Sequence, residues 1–185
     1  MRAILCDRFE GIGALRMGEA AEPSPADDEV LIDVHAASVS YMDYLMTTGG
    51  YQLRPTLPYV PGTDAAGVVA SVGGRVERFR PGDRVACGNW FGGFAERMVA
   101  KASKSARIPD TVDFLVGSIV GVFAGAWMTN FPAEAAEAAD KVMALVGEGK
   151  LRPRVDRVLP LEQAAEAMRA VAERSVQGRM VLKVR

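Results

Sequence analysis

Apolar positions along this chain follow two rhythms that change over at Phe114. Before it they come in short β-branched runs separated by Gly, Pro and Asp: Ala3 to Cys6, Glu29 to Ala37, Gly67 to Val72, Arg84 to Cys87 and Phe94 to Ala100. Short strands repeated between turn residues predict a barrel or a sandwich. In the run from Val30 to Ala36, Val30, Ile32, Val34 and Ala36 share one face while Asp33 and His35 share the other, the alternation of a half-buried strand. The one helix predicted in this half is Ser40 to Thr48, with Ser40 as its N-cap and Gly49-Gly50 as its stop.

After Phe114 the run Ser118-Ile119-Val120-Gly121-Val122-Phe123 reads as one buried strand, and most of the chain beyond it is helical. Pro132 suits a first helical turn, and Ala135, Ala139, Val142 and Val146 keep one face apolar until Gly147 and Gly149. A second helix comes after Pro160 with Leu161, Ala164, Ala165, Met168, Val171 and Ala172 as its stripe; Gln177-Gly178 then turns the chain into a last strand, Met180 to Val184. The expected fold class is α+β, mainly β, in one domain spanning residues 1 to 185. A β-rich part, 1 to 114, is followed by an orphan strand, two helices and a final strand, 115 to 185.

Composition narrows the partners. With 185 residues, 49% of them hydrophobic and a net charge of -1, the chain has the balance of a soluble globular protein. It has no Lys/Arg stripe of the kind nucleic acid requires. The longest apolar stretch, Val116 to Met128, is broken by glycines and too short for a bilayer, and the first residues lack the apolar core of a signal peptide, so no membrane partner and a cytoplasmic location are expected. Cys6 and Cys87 have no C-x-x-C spacing and are read as reduced thiols. His35, the single histidine, has no second ligand at helical or hairpin spacing; it is read as a surface residue, and no metal is expected.

Four segments, in order and at family spacing, carry a resemblance: Ala36-Ala37-Ser38-Val39-Ser40-Tyr41-Met42-Asp43, Pro61-Gly62-Thr63-Asp64-Ala65-Ala66-Gly67, Pro81-Gly82-Asp83-Arg84-Val85 and Gly92-Gly93-Phe94-Ala95-Glu96. With the C-terminal stretch from Glu148 to Leu182 they resemble the medium-chain dehydrogenase/reductase superfamily, most closely its zinc-independent quinone oxidoreductase branch. The resemblance implies a GroES-like, partly open β-barrel interrupted by a doubly wound nucleotide domain. It also implies NADPH between the two domains and a quinone or enone as hydride acceptor. The zinc branch's Cys in the first segment and its His at Thr63 are not found here.

The nucleotide domain is where the chain departs from this pattern. A dinucleotide site needs a strand, a glycine-rich turn and a helix N-terminus, and such a domain occupies on the order of 100 to 150 residues. Phe114 runs directly into Leu115 instead. Gly117, Gly121 and Gly125 are read as points of close backbone packing. No Rossmann domain and no tightly bound cofactor are therefore expected, and the parent activity is expected to be lost. The resemblance makes Ser40, Tyr41 and Tyr51, with Tyr44 beside them, the substrate-cleft hydroxyls. Trp90 and Phe91 border that cleft, and Asp64 lies structurally beneath it. Loss of the nucleotide sheet would leave Trp127, Met128 and Phe131 as an apolar patch and Ser118 to Phe123 as an unpaired strand suited to a homodimer. A non-catalytic binding or dimerisation module, whether the join arose naturally or by design, is the alternative reading.

Overall fold

The computed structural model describes residues 1–118 and 132–185. The expected strand from Ile119 to Phe123 and the expected patch at Trp127, Met128 and Phe131 lie outside the described residues. Ser118 itself is the C-cap of a short helix, with φ -65° and ψ -17°, so the helix ends where the strand was expected to begin.

The strands are β1 (Arg2–Cys6), β2 (Leu15–Glu19), β3 (Glu29–Val39), β4 (Asp64–Val72), β5 (Arg84–Gly88), β6 (Arg97–Lys101), β7 (Ser105–Arg107), β8 (Val155–Pro160) and β9 (Arg179–Lys183). The helices are α1 (Tyr41–Thr47), α2 (Phe114–Gly117), α3 (Pro132–Gly147) and α4 (Ala164–Ala172). β3 organises the sheet. One of its edges pairs antiparallel with β4; the other pairs with β6 along Glu29 to Asp33 and with β9 along Ala36 to Val39. The main sheet runs β7-β5-β4-β3-β9-β8, and β1 and β2 form a separate ribbon joined to it by the bridges Ala3–Ala95 and Cys6–Tyr59. The architecture is GroES-like and mainly β, with sheets that do not close into a barrel.

The alternation read in β3 sets the core. Val30, Ile32 and Val34 are buried and meet Leu161, Met168 and Met180 of the C-terminal segment. Past Val34 the strand is covered on both faces, because Ala36, Ala37, Ser38 and Val39 are all buried. The return segment therefore completes the core of the first half. Burying one Leu or Met side chain contributes roughly 1.5–3 kcal/mol, so residues 155–185 are integral to the fold.

On the other side of the sheet, α3 lays Ala139, Met143 and Val146 against Ala66, Ala86, Ala106, Ile108 and Val112. Met143 holds the centre of that face in place of the expected Val142, which is half-buried beside it. Arg78 reaches Asp140 at 2.5 Å and ties α3 to the turn before β5.

The join between the halves is ordered. Asp113 caps α2 by accepting from the Leu115 N–H at 2.8 Å, and the Gly117 and Ser118 amides donate to the Asp113 and Phe114 carbonyls at 2.9 Å. Arg84 donates to the Pro109 and Val112 carbonyls at 2.7 and 2.6 Å, with its guanidinium 4.3 Å from the Phe114 ring centroid. His35 is half-buried, a correction to its expected surface position, and its ring lies 4.4 Å from that of Phe114. Burial, reinforced by the neighbouring Arg185 charge, holds its pKa below the ordinary value. Gly117 packs so closely that a Cβ would stand 2.6 Å from Ile108 Cδ1, in keeping with its reading as a packing glycine.

Candidate functional site

The expected site residues gather around α1, which leaves the end of β3 and stops at Gly49, where φ is +69° and a glycine is favoured. Ser40 caps the helix in a reciprocal box. Its Oγ accepts from the Asp43 N–H at 3.3 Å, and Asp43 Oδ2 accepts from the Ser40 N–H at 2.7 Å. A second short contact, 2.7 Å, joins Ser40 Oγ to the same Oδ2. Tyr41 is 48% exposed, and its ring centroid lies 5.6 Å from that of Tyr44 one turn on. Tyr51 comes after the helix, half-buried, 6.4 Å from the Trp90 ring and packed on the cluster of Cys6, Met46 and Tyr59. Ser40 and Tyr41 thus sit together at the head of α1, whereas Tyr51 belongs to the aromatic wall of Trp90, Phe91 and Tyr59. Phe91, 40% exposed, meets Tyr59 edge-on at 6.2 Å.

Beneath these residues is a buried polar cluster that sequence reasoning largely missed. Asp43 and Thr63 are 1% and 2% exposed; Asp43 Oδ1, Thr63 Oγ1, Ser38 Oγ and Tyr59 Oη have no hydrogen-bond partner within normal geometry. Burial raises the Asp43 pKa, against the opposing pull of its Ser40 and Thr63 contacts. Asp64 is pushed up to about 7, first by burial and then by the Asp43 charge, with Arg179 and the Thr63 hydroxyl acting the other way. Asp64, expected to lie structurally beneath the cleft, is close enough to Asp43 for the two carboxyl charges to interact. Tyr59 is raised well above an ordinary phenol, by burial and then by Cys6. Cys87, fully enclosed, is pushed up to about 12 and is unreactive as a nucleophile. The signal that could have found the cluster is the Ser40-x-x-Asp43 capping pattern, which sets a carboxylate pointing back into the fold.

Among the described residues no three His, Cys, Asp or Glu side chains converge as a metal would require. Among the described residues no glycine-rich turn of the kind that cradles a dinucleotide is found. The glycines with positive φ, at 11, 49, 62, 82, 92, 149 and 178, lie in turns, at helix ends or before strands, and none opens an α-helix after a strand.

Residues 26–110 match the alcohol dehydrogenase GroES-like domain. Over 124 residues the chain is 38% identical to the quinone oxidoreductase of Rattus norvegicus and 37% identical to that of Homo sapiens. Each match covers 66% of this chain and 38% of the relative, so the matched region spans under two fifths of those proteins. The fold is shared with a probable oxidoreductase from Mycobacterium abscessus, with TM-score 0.88, 21% identity and 100% and 99% of the two chains covered. It is also shared with a mycobacterial protein solved in complex with NADPH, with TM-score 0.87, 16% identity and 100% of each chain covered. The chain is a quinone oxidoreductase-like fragment of the medium-chain dehydrogenase/reductase kind, with the GroES-like domain at residues 26–110.

Proposed function

We propose that this chain is the substrate-side domain of an NADPH-dependent quinone or enone reductase, built from residues 1 to 114 and 115 to 185 as one unit, and that it turns nothing over alone. The observation carrying this reading is the hydrogen-bonded helix that crosses from Phe114 to Leu115, where a nucleotide domain would leave and return. Hydride transfer requires both reactants at near-attack distance between two walls. On the substrate side the chain keeps the head of α1, with Ser40 and Tyr41, and the separate aromatic group of Tyr51 and the Trp90 loop, and the described residues offer no cradle for a pyrophosphate.

The chemistry left to these residues is recognition. The Ser40 hydroxyl supplies a hydrogen bond at the head of α1, and the rings of Tyr51, Trp90 and Phe91 supply apolar area for a flat ligand. Cytoplasmic residence belongs to the same reading; both thiols are free and buried, and among the described residues no helix is long and apolar enough to cross a membrane. Self-association through Ser118 to Phe123 is a further element of it, supported by the apolar sequence alone. Light scattering at tens of micromolar, with Val120→Lys beside the parent chain, tests that element; a monomer, or a dimer unmoved by the substitution, removes it. The test of the main reading is steady-state NADPH oxidation with a quinone and an enone as acceptors. A rate equal to buffer is expected, and measurable turnover would overturn the proposal.

A further inference from the structure

The Ser40–Asp43 contact contains a choice of direction. Ser40 Oγ and Asp43 Oδ2 are 2.7 Å apart, an ordinary hydroxyl–carboxyl hydrogen-bond length, and one proton lies between them. If Asp43 is a carboxylate it can only accept, so the Ser40 hydroxyl proton is committed to Oδ2 and the outward side of Oγ presents the lone pair not taken by the Asp43 N–H. If Asp43 carries a proton on Oδ2, that proton is donated to Oγ, and the hydroxyl proton is free to turn outward. Each state is internally balanced: the second has gained one proton from solvent, and Ser40 keeps its own in both.

We propose that Asp43 is a positioning residue that sets the hydrogen-bond polarity of Ser40, so that the head of α1 offers an acceptor when Asp43 is ionised and a donor when it is protonated.

Two independent features of the cluster support a carboxyl that changes state. Asp43 is 1% exposed, and its second oxygen, Oδ1, has no partner within normal geometry, so its ionised form is poorly compensated. Of the groups facing it, Ser40 and Thr63 compensate a charge only in part, and no cation among the described residues stands against it to do the rest. Asp64 opens β4, Thr63 immediately precedes it and Tyr59 lies in the loop before; the neighbouring cation, Arg179, acts on Asp64. Burial therefore favours the neutral acid, while the box with the Ser40 N–H favours the anion, and the two states are brought close in free energy. A helix cap alone would be served by an exposed carboxylate, so burial of this one calls for a second account.

The consequence for ligands is a change of class. A carbonyl, which only accepts, is bound by the protonated state; a phenol or alcohol donor is bound by the ionised state. This ligand-facing half rests on the proposed function, in which Ser40 lines the substrate side, while the direction of the internal hydrogen bond does not.

The experiment therefore has two arms. Neutron diffraction from perdeuterated crystals of the whole chain at pD 4.5 and pD 9 locates the deuterons directly. At low pD we expect one on Asp43 Oδ2, with the Ser40 deuteron turned away; at high pD, the Ser40 deuteron on the line to Oδ2. The same arrangement at both values overturns the proposal. In the second arm, acetophenone and phenol are titrated calorimetrically at pH 5 and pH 8. One hydrogen bond gained or lost corresponds to about a 2- to 10-fold change. Acetophenone should tighten by that factor at pH 5 and phenol should weaken. In Asp43→Asn, whose amide oxygen keeps the box and whose NH2 mimics the acid, both should lose their pH dependence, with acetophenone at its tighter value. Equal pH dependence of the two ligands overturns the proposal. If neither ligand binds at either pH, Ser40 does not line a cleft, and the neutron arm alone decides the hydrogen bond.

Discussion

Replacing Arg84 with Ala tests how the join is held. Its guanidinium is 22% exposed, bonds two carbonyls of the loop leading to the join at 2.7 and 2.6 Å, and covers the Phe114 ring. The ion pair with Asp110, 3.9 Å long to a fully exposed partner, adds almost nothing. Each lost charge-assisted hydrogen bond costs roughly 1–1.5 kcal/mol once water reaches the freed carbonyl. The cation–π contact adds about 0.5–1 kcal/mol, for a total of about 3 kcal/mol. With a urea m-value of about 2 kcal/mol/M for a chain of this size, the midpoint should fall by about 1.5 M. The assay is equilibrium urea unfolding followed by circular dichroism, with Arg75→Ala as control, since Arg75 meets Asp27 at 3.7 Å between two side chains that are 72% and 70% exposed. A shift below about 0.5 M, or one equal to the control, would refute the idea that Arg84 pins the segment before α2.

The packing and the buried carboxyls give three further outcomes. Met143→Ala, which removes the 1% exposed centre of the α3 face, should cost about 2–4 kcal/mol in the same assay; no change would mean that α3 is not docked on β4, β5 and β7. Gly67→Ala places a Cβ 2.0 Å from the Asp33 carbonyl oxygen in the β3–β4 ladder, so the variant should be largely unfolded by circular dichroism, and a native melting curve would contradict the β3–β4 register. The folded pKa of Asp64 lies above its ordinary value, near 7, so the folded chain binds more protons than the unfolded one between about pH 4 and pH 7. Its contribution to stability is complete below that window and is lost as pH rises through 7. His35, shifted the opposite way, contributes stability lost on acidification. The difference between the parent and Asp64→Asn in thermal midpoint from pH 5 to pH 8 isolates the carboxyl: the parent should lose more on going to pH 8, and parallel profiles would refute the assignment.

Much of the fold was legible where one physical rule acts alone. The alternation of Val30, Ile32 and Val34 placed β3, and Ser40 with Gly49 bounded α1, because capping and left-handed backbone are local requirements. β2 and β8 were missed for a common reason. Leu15–Glu19 alternates only from Leu15 to Met17, and Val155–Pro160 carries Asp156 and Arg157, so neither has the sustained apolar alternation of a half-buried strand; each is held by pairing with a remote partner. α2 was missed because a four-residue helix is set by its cap, Asp113, and by Arg84 from another strand. At the site the surface aromatics were found through the family resemblance, whereas the pairing of Asp43 with Thr63 and Asp64 is a property of where β3, α1 and β4 meet.

The central claim, a catalytic-side domain that folds without a nucleotide site, is tested most directly by calorimetric titration of the purified chain with NADPH at two temperatures. No detectable heat at either temperature is the predicted result. Binding in the micromolar range would contradict it, showing that residues of this chain, alone or in a pair of copies, form a cofactor site.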